Sequence, residues 1–362
     1  MRWRQSRRKL QRLLRRIWRR PGQAYGPRRG SVTHVVILDG TMSSLRRGSE
    51  TNAGLAYRRC REMRGASVSI YYEPGLQWRD WRSASSVIAG RGINRQIFRA
   101  YSYLASRYRP GDRIFLMGYS RGAYAVRSLA GVIDRVGLLR QDHATERNVR
   151  TAYRYYRNSA VTPTTRAFTA RFCHEDVPIE MIGVWDTVKS LGLNMPILWR
   201  LTEARHNFHN HALSTNVRHG YHALALDETR VAYKPVMWEG APGVETVLEQ
   251  VWFPGTHGDV GGQLGDFEAA RPLANIPLVW MLEKAEGCGL PLPENWRERF
   301  PRDVTAPSLG LWRGYSGIFI TRRKRVVGAD PSESLHPSVA ERQASMPSRR
   351  SGRSPDLPVR TA

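Results

Sequence analysis

Residues 115–131, FLMGYSRGAYAVRSLAG, constrain this chain more than any other stretch. Residues 113–117 are a short apolar run launched by the Pro110-Gly111-Asp112 turn. From Ala123 onward, apolar residues recur at helical spacing through Leu138. Between the two lies Gly118-Tyr119-Ser120-Arg121-Gly122, a G-x-S-x-G pattern. A pattern that short recurs by chance, but a strand, a sharp turn and a helix form the context in which it presents a serine hydroxyl for chemistry. Small residues on both sides of Ser120 let strand and helix approach closely. The backbone N–H of Arg121, at the start of a helix, would then face a developing oxyanion. The plain alternative is a Gly-rich turn between buried elements.

The other apolar runs place this turn in a larger frame. Residues 32–38, 67–72, 179–185 and 247–253 read as further strands, and residues 93–108 and 276–286 as helices. The continuous apolar character of 32–38 is that of a central parallel strand. Strands alternating with helices predict an α/β fold with a mostly parallel central sheet and helices on both faces. In such sheets ligands bind beyond the carboxyl ends of the strands. Asp39, Ser120, Asp186 and His257 all lie just past a strand end. A serine nucleophile needs a base, and the base needs a carboxylate to fix its tautomer. The chain order Ser, Asp, His fits an α/β-hydrolase-like arrangement, and assigns Ser120, Asp186 and His257 as the catalytic set. Asp259 competes with Asp186, although two residues from His257 it suits the turn itself. Gly40 and Thr41 are candidates for the second oxyanion donor through their backbone N–H groups, or members of a simple turn.

Other residues invite different readings. His206, His209 and His211 superficially resemble a metal-ligand run but lack Cys or carboxylate partners at suitable spacing. No metal and no cofactor is expected. At least one of His219 and His222, which precede a segment read as helical, is expected to be structural. Residues 193–216 are either a lid over an acyl pocket or a helix packed on the sheet. Cys60, Cys173 and Cys288 are too few and too scattered for a disulfide framework. They read as buried thiols of a reducing compartment.

The net charge of +26 is uneven: residues 1–30 carry +12 with no acidic residue, and residues 321–362 carry +5. Residues 2–20 form a basic amphipathic pattern suited to an anionic membrane surface, or to a solvated arm. No nucleic-acid-binding module follows it, so a specific DNA or RNA partner is not expected. Neither a spanning helix nor a secretory signal is predicted. The expected organisation is an arm at 1–28, a catalytic body at 29–325 and a disordered tail at 326–362. The expected location is cytoplasmic, with peripheral membrane contact as one reading.

Six segments together resemble a known family: VVILDGT at 35–41, YYEPG at 71–75, MGYSRGAYAVRSLAG at 117–131, GVWDTVKSLG at 183–192, YHALALDETR at 221–230 and VWFPGTHGDVGG at 251–262. It is the bacterial and fungal α/β-hydrolase domain that includes the catalytic part of type VI secretion phospholipase effectors. The segments keep the family's order and span residues 32–265. The resemblance implies a Ser–Asp–His ester hydrolase, acting in some members on phospholipids. It puts the nucleophile on Ser120, the histidine on His257 and the acid most naturally on Asp186. The expected function is therefore cleavage of carboxylic esters, with lipid or phospholipid as substrate. A thioesterase or amidase on the same fold, or an adaptor whose body only positions its basic arms, are the alternatives.

Overall fold

Continuous apolar runs become the buried strands of one sheet. The elements in chain order are β1 (Thr33–Leu38), α1 (Asn52–Glu62), β2 (Val68–Glu73), α2 (Arg91–Ala105), β3 (Arg113–Tyr119), α3 (Arg121–Val136), α4 (Glu146–Arg157) and α5 (Pro163–Phe172). They continue with β4 (Ile179–Trp185), β5 (Val217–Ala225), β6 (Val247–Phe253), α6 (His257–Gly261), α7 (Arg271–Gly287), β7 (Glu333–Leu335) and α8 (Pro337–Ser345). The computed structural model describes residues 29–65, 67–75, 77, 91–158, 161–188, 213–240, 246–313 and 321–345. The chain divides into two units, Met1–Ser31 and Val32–Ala362, and every element named belongs to the second. The basic arm, the histidines at 206, 209 and 211, and all but the last four residues of 193–216 lie outside the described residues.

The seven strands run in the order β2-β1-β3-β4-β5-β6-β7, and every pairing is parallel. Period-two alternation sorts each strand between two cores. Val36, Leu38, Ile114, Leu116, Ile182 and Val184 face α2, α3 and α4, where Ile97, Tyr101, Leu104, Val126 and Leu129 meet them. Val35, Ile37, Phe115, Met117 and Met181 face α1 and α7, where Ala53, Ala56, Leu278, Met281 and Leu282 meet them. This is the α/β-hydrolase-like layering expected from the sequence. The three cysteines are free and buried, and burial pushes the Cys60 and Cys173 thiols up to about 12. Among the described residues no helix is long and apolar enough to cross a membrane.

Two features correct the sequence reading. Residues 217–225 form a central strand, β5, and lead not into a helix but into a turn and a short 3-10 segment at Val231–Tyr233. Residues 326–345 are not a free tail. β7 extends the sheet beside β6, and α8 buries Val339 and Arg342. The Trp252 indole N–H donates to Glu333 Oε2 at 2.8 Å, and Arg342 donates to the carbonyls of Val304 and Ala306. A three-residue strand is too short to leave a periodic signal, and its partners lie some eighty residues upstream. The body therefore extends to residue 345 at least.

The β3–α3 turn is held by glycine clearance. A Cβ on Gly122 would collide with the carbonyl oxygens of Leu38 and Asp39, and one on Gly118 with the Gly122 backbone. Backbone atoms cannot move aside as a flexible side chain can. Gly122→Ala is expected to destabilise the protein by about 2–3 kcal/mol, read as a lower urea midpoint at unchanged m-value. A wild-type midpoint would show that β1 and α3 can part at no cost.

Candidate active site

Ser120 joins the end of β3 to α3 with φ 57° and ψ −119°, a conformation that L-residues rarely adopt. Such strain costs on the order of 1–3 kcal/mol and persists only where the surroundings over-determine it. Here they do: the Ser120 N–H donates to Trp185 O at 3.0 Å, and Gly118 and Gly122 close the turn from either side. The result points the hydroxyl off the carboxyl edge of the sheet.

His257 opens α6 after β6 and the turn at Gly255, whose φ is 106°. Its N–H donates to Glu228 Oε2 at 3.1 Å, and its ring lies between Tyr119 and Tyr233, with centroids at 4.9 and 4.6 Å. Nε2 is 3.0 Å from Ser120 Oγ, and Nδ1 is 2.6 Å from Asp186 Oδ2. The structure thus brings together the three side chains that the sequence reading singled out. An acidic partner at Nδ1 fixes the proton there and leaves Nε2 as the acceptor.

Asp186, with φ 39°, follows β4 and is fully buried. Its Oδ1 accepts the Ala225 N–H at 3.1 Å. Arg325 grips both oxygens, Nη1 to Oδ1 at 2.6 Å and Nη2 to Oδ2 at 2.9 Å. Burial alone would raise the carboxyl; the Arg325 charge, aided by the hydrogen bonds from His257 and Arg325, outweighs it and holds the group well below the usual carboxylate range. Asp259 is engaged elsewhere. It accepts from the Thr256 N–H at 2.7 Å, the Thr256 hydroxyl at 2.8 Å and the Leu309 N–H at 2.7 Å, forming the capping box of α6.

The Asp39 loop shows a division the sequence did not reveal. The Gly40 N–H donates to Asp39 Oδ1 at 2.7 Å, so that amide already has an acceptor. The Thr41 N–H has none among the described residues. Gly40 packs directly against the nucleophile turn, since a Cβ there would lie 3.3 Å from Ser120 Cβ. Gly75 clasps the same peptide from the other side: a Cβ on it would collide with the Gly40 carbonyl. Asp39 anchors the loop by accepting from Thr51 Oγ1 at 2.6 Å and Tyr72 OH at 2.7 Å. Burial lifts its carboxyl to about 6, against those hydrogen bonds.

His222 is a structural histidine. Its Nε2 accepts the Thr187 N–H at 3.1 Å and its Nδ1 faces Gln250 Oε1, while burial and the nearby Arg127 push it down to about 3. Sequence reasoning missed Arg325, Glu228 and Tyr233. Arg325 is the last of the run Arg322-Arg323-Lys324-Arg325, where nothing in the spacing distinguishes it. Glu228 falls within YHALALDETR, a segment that the resemblance quotes but to which it assigns no role.

Comparison with known proteins supplies the family. The chain is 26% identical over 234 residues to an uncharacterized protein of Saccharomyces cerevisiae, YEL023C, covering 58% of this chain and 33% of that protein. An uncharacterized protein from Pseudomonas aeruginosa aligns with 75% of this chain and 49% of its own, at 15% identity and a TM-score of 0.41. The Tle1 effector, solved bound to the VgrG spike of the type 6 secretion system, aligns with 65% of this chain and 52% of its own, at 14% identity and a TM-score of 0.37. The chain thus spans about a third of the yeast relative's length and about half of each solved chain. Residues 33–284 match the family described as "T6SS, Phospholipase effector Tle1-like, catalytic domain", and the chain belongs to that family.

Proposed function

We propose that this chain is a serine hydrolase of carboxylic esters, with phospholipid as its substrate class. The observation that supports this reading best is the His257 imidazole, 3.0 Å from Ser120 Oγ on one side and 2.6 Å from Asp186 Oδ2 on the other. Ser120 Oγ attacks the acyl carbonyl carbon while His257 Nε2 takes the hydroxyl proton. The tetrahedral oxyanion is met by the N–H groups of Arg121 and Thr41, with Gly40 shaping the loop. Preorganised donors of this kind are worth about 3 kcal/mol each. The intermediate collapses as His257 returns the proton to the leaving alcohol, and an acyl-serine remains. Water then repeats the sequence with His257 as base, releasing the acid. Asp186 holds the Nδ1 proton and stabilises the imidazolium formed at each step. The basic segment 2–20 is the proposed contact with an anionic lipid surface.

A fluorophosphonate probe is expected to label the wild-type protein and not Ser120→Ala. The same substitution is expected to lower p-nitrophenyl ester hydrolysis by at least about 10³-fold. Labelling of Ser120→Ala at the wild-type level, or ester turnover that survives it, would remove Ser120 from the chemistry.

Arg325→Gln tests the support beneath Asp186. The Asp186 carboxyl titrates below its unfolded range, so its contribution to stability is present above about pH 4 and is lost as the pH falls through its folded value. Without Arg325 the largest cause of that depression is gone. The variant should unfold more easily at pH 7 by about 3 kcal/mol, with the gap to wild type narrowing in acid. Urea denaturation at several pH values measures this. A gap that stays constant from pH 7 into acid would mean that Arg325 acts through packing rather than through the carboxylate.

A further inference from the structure

A buried arginine is tolerated where the fold supplies its partners. Four arginines are buried among the described residues, and three are partnered. Arg127 donates to the carbonyls of Val236 and Met237 and lies over the Trp238 ring. Arg230 forks onto Glu228, and Arg342 donates to Val304 and Ala306. Arg121 differs. It is only 6% exposed, yet its guanidinium has no hydrogen-bond or ion-pair partner among the described residues.

Its position makes this chemically pointed. Arg121 follows Ser120 directly at the start of α3, and the nearby Tyr233 ring tilts against His257 with centroids 4.6 Å apart. Burial draws the guanidinium down to about 10, so it stays charged at neutral pH. On the same Tyr233 ring, 4.4 Å from its centroid, sits the Arg230 guanidinium, whose Nη1 is buried without a partner. One cation, Arg230, thus lies on the ring beside the imidazole with a buried donor unmet, while Arg121 adjoins the nucleophile with no hydrogen-bond or ion-pair partner among the described residues.

We propose that the Arg121 guanidinium is the subsite for an anionic group of the substrate, a phosphodiester of the phospholipid whose acyl carbonyl faces Ser120. This rests on the ester-hydrolase reading above. A guanidinium fork matches phosphate oxygens two at a time. In a glycerophospholipid the phosphate is carried one glycerol carbon from the sn-2 ester, a few bonds from the reacting carbonyl. A side chain adjoining the nucleophile can span that distance. The anion would supply the counter-charge that no described residue supplies, so the charge discriminates between a phospholipid and a neutral lipid at the point of reaction.

The test compares phosphatidylcholine with diacylglycerol of the same acyl chains, in identical mixed micelles, for the full chain and for Arg121→Met and Arg121→Lys. The quantity read is the ratio of the two kcat/KM values, which cancels any loss common to both substrates. Arg121→Met is expected to lower the ratio by about 10- to 100-fold, Arg121→Lys to restore part of it, and the Tm of Arg121→Met not to fall, because an unpaired buried charge has been replaced by an apolar chain. An unchanged ratio overturns the proposal. So does a drop in Tm accompanied by equal losses on both substrates, which would mark Arg121 as structural. If inorganic phosphate competes with diacylglycerol hydrolysis in wild type while the ratio is unchanged in Arg121→Met, the guanidinium serves a free anion and the proposal falls. Turnover of either lipid by Ser120→Ala would instead sink the underlying reading.

Discussion

A carboxylate with no exposure to water has to be met by donors from the fold, and Asp186 is the group around which this end of the molecule is arranged. Its partners come from three places in the chain: the Ala225 N–H at the end of β5, the His257 ring after β6, and Arg325 from the segment preceding β7, all converging on the end of β4. Arg325 is itself seated by the carbonyls of Ala225 and Tyr233. An isolated carboxylate in this position would take up a proton, because desolvation penalises the charged form. The network reverses that preference and ties three strand ends and a late segment to one point.

The strand ends also concentrate backbone strain. Ser120 and Asp186, neighbours across the β3–β4 pair, both have positive φ. The parallel sheet makes this possible by bringing successive carboxyl ends to one edge, where the chain must turn and where amides are free of ladder bonds. Glycine clearance does the rest. Gly40, Gly75, Gly118 and Gly122 let β1, the loop after β2 and α3 crowd the serine, as no residue with a Cβ would. The same crowding that strains Ser120 also fixes it, so the hydroxyl meets the imidazole without searching.

Much of this arrangement was legible in the sequence. Buried strands leave mostly apolar runs, which is why β1, β3, β4 and the buried second half of β6 could be read directly. Ser120, Asp186 and His257 stand just past three of those runs. What escaped reading has physical causes. β5 hides because His219 and His222 interrupt its apolar pattern, and His222 is buried only by virtue of Thr187 and Gln250, residues remote in sequence. β7 is three residues long and is stabilised by its neighbour rather than by its own composition. Arg325 looks like any member of a basic run until the fold carries it to Asp186. The engagement of the Gly40 N–H by its own neighbour's carboxylate depends on a side-chain rotamer, which spacing cannot express.

His222 and His257 show how position decides chemistry. His222 lies within β5, and Arg127 on α3 adds positive charge to a site already stripped of water. Burial and that charge together keep its ring neutral, and its accepting nitrogen is occupied by the Thr187 N–H, so it can only hold the loop after Asp186 in place. His257 lies one strand further along but beyond the strand's end, with a carboxylate on one nitrogen and a hydroxyl on the other. Its accepting nitrogen faces a group with a proton to give, and its donating nitrogen faces a charge able to stabilise the cation that results. Residue type is the same in both cases. What separates a structural imidazole from a candidate base is whether the strand has ended before the side chain begins.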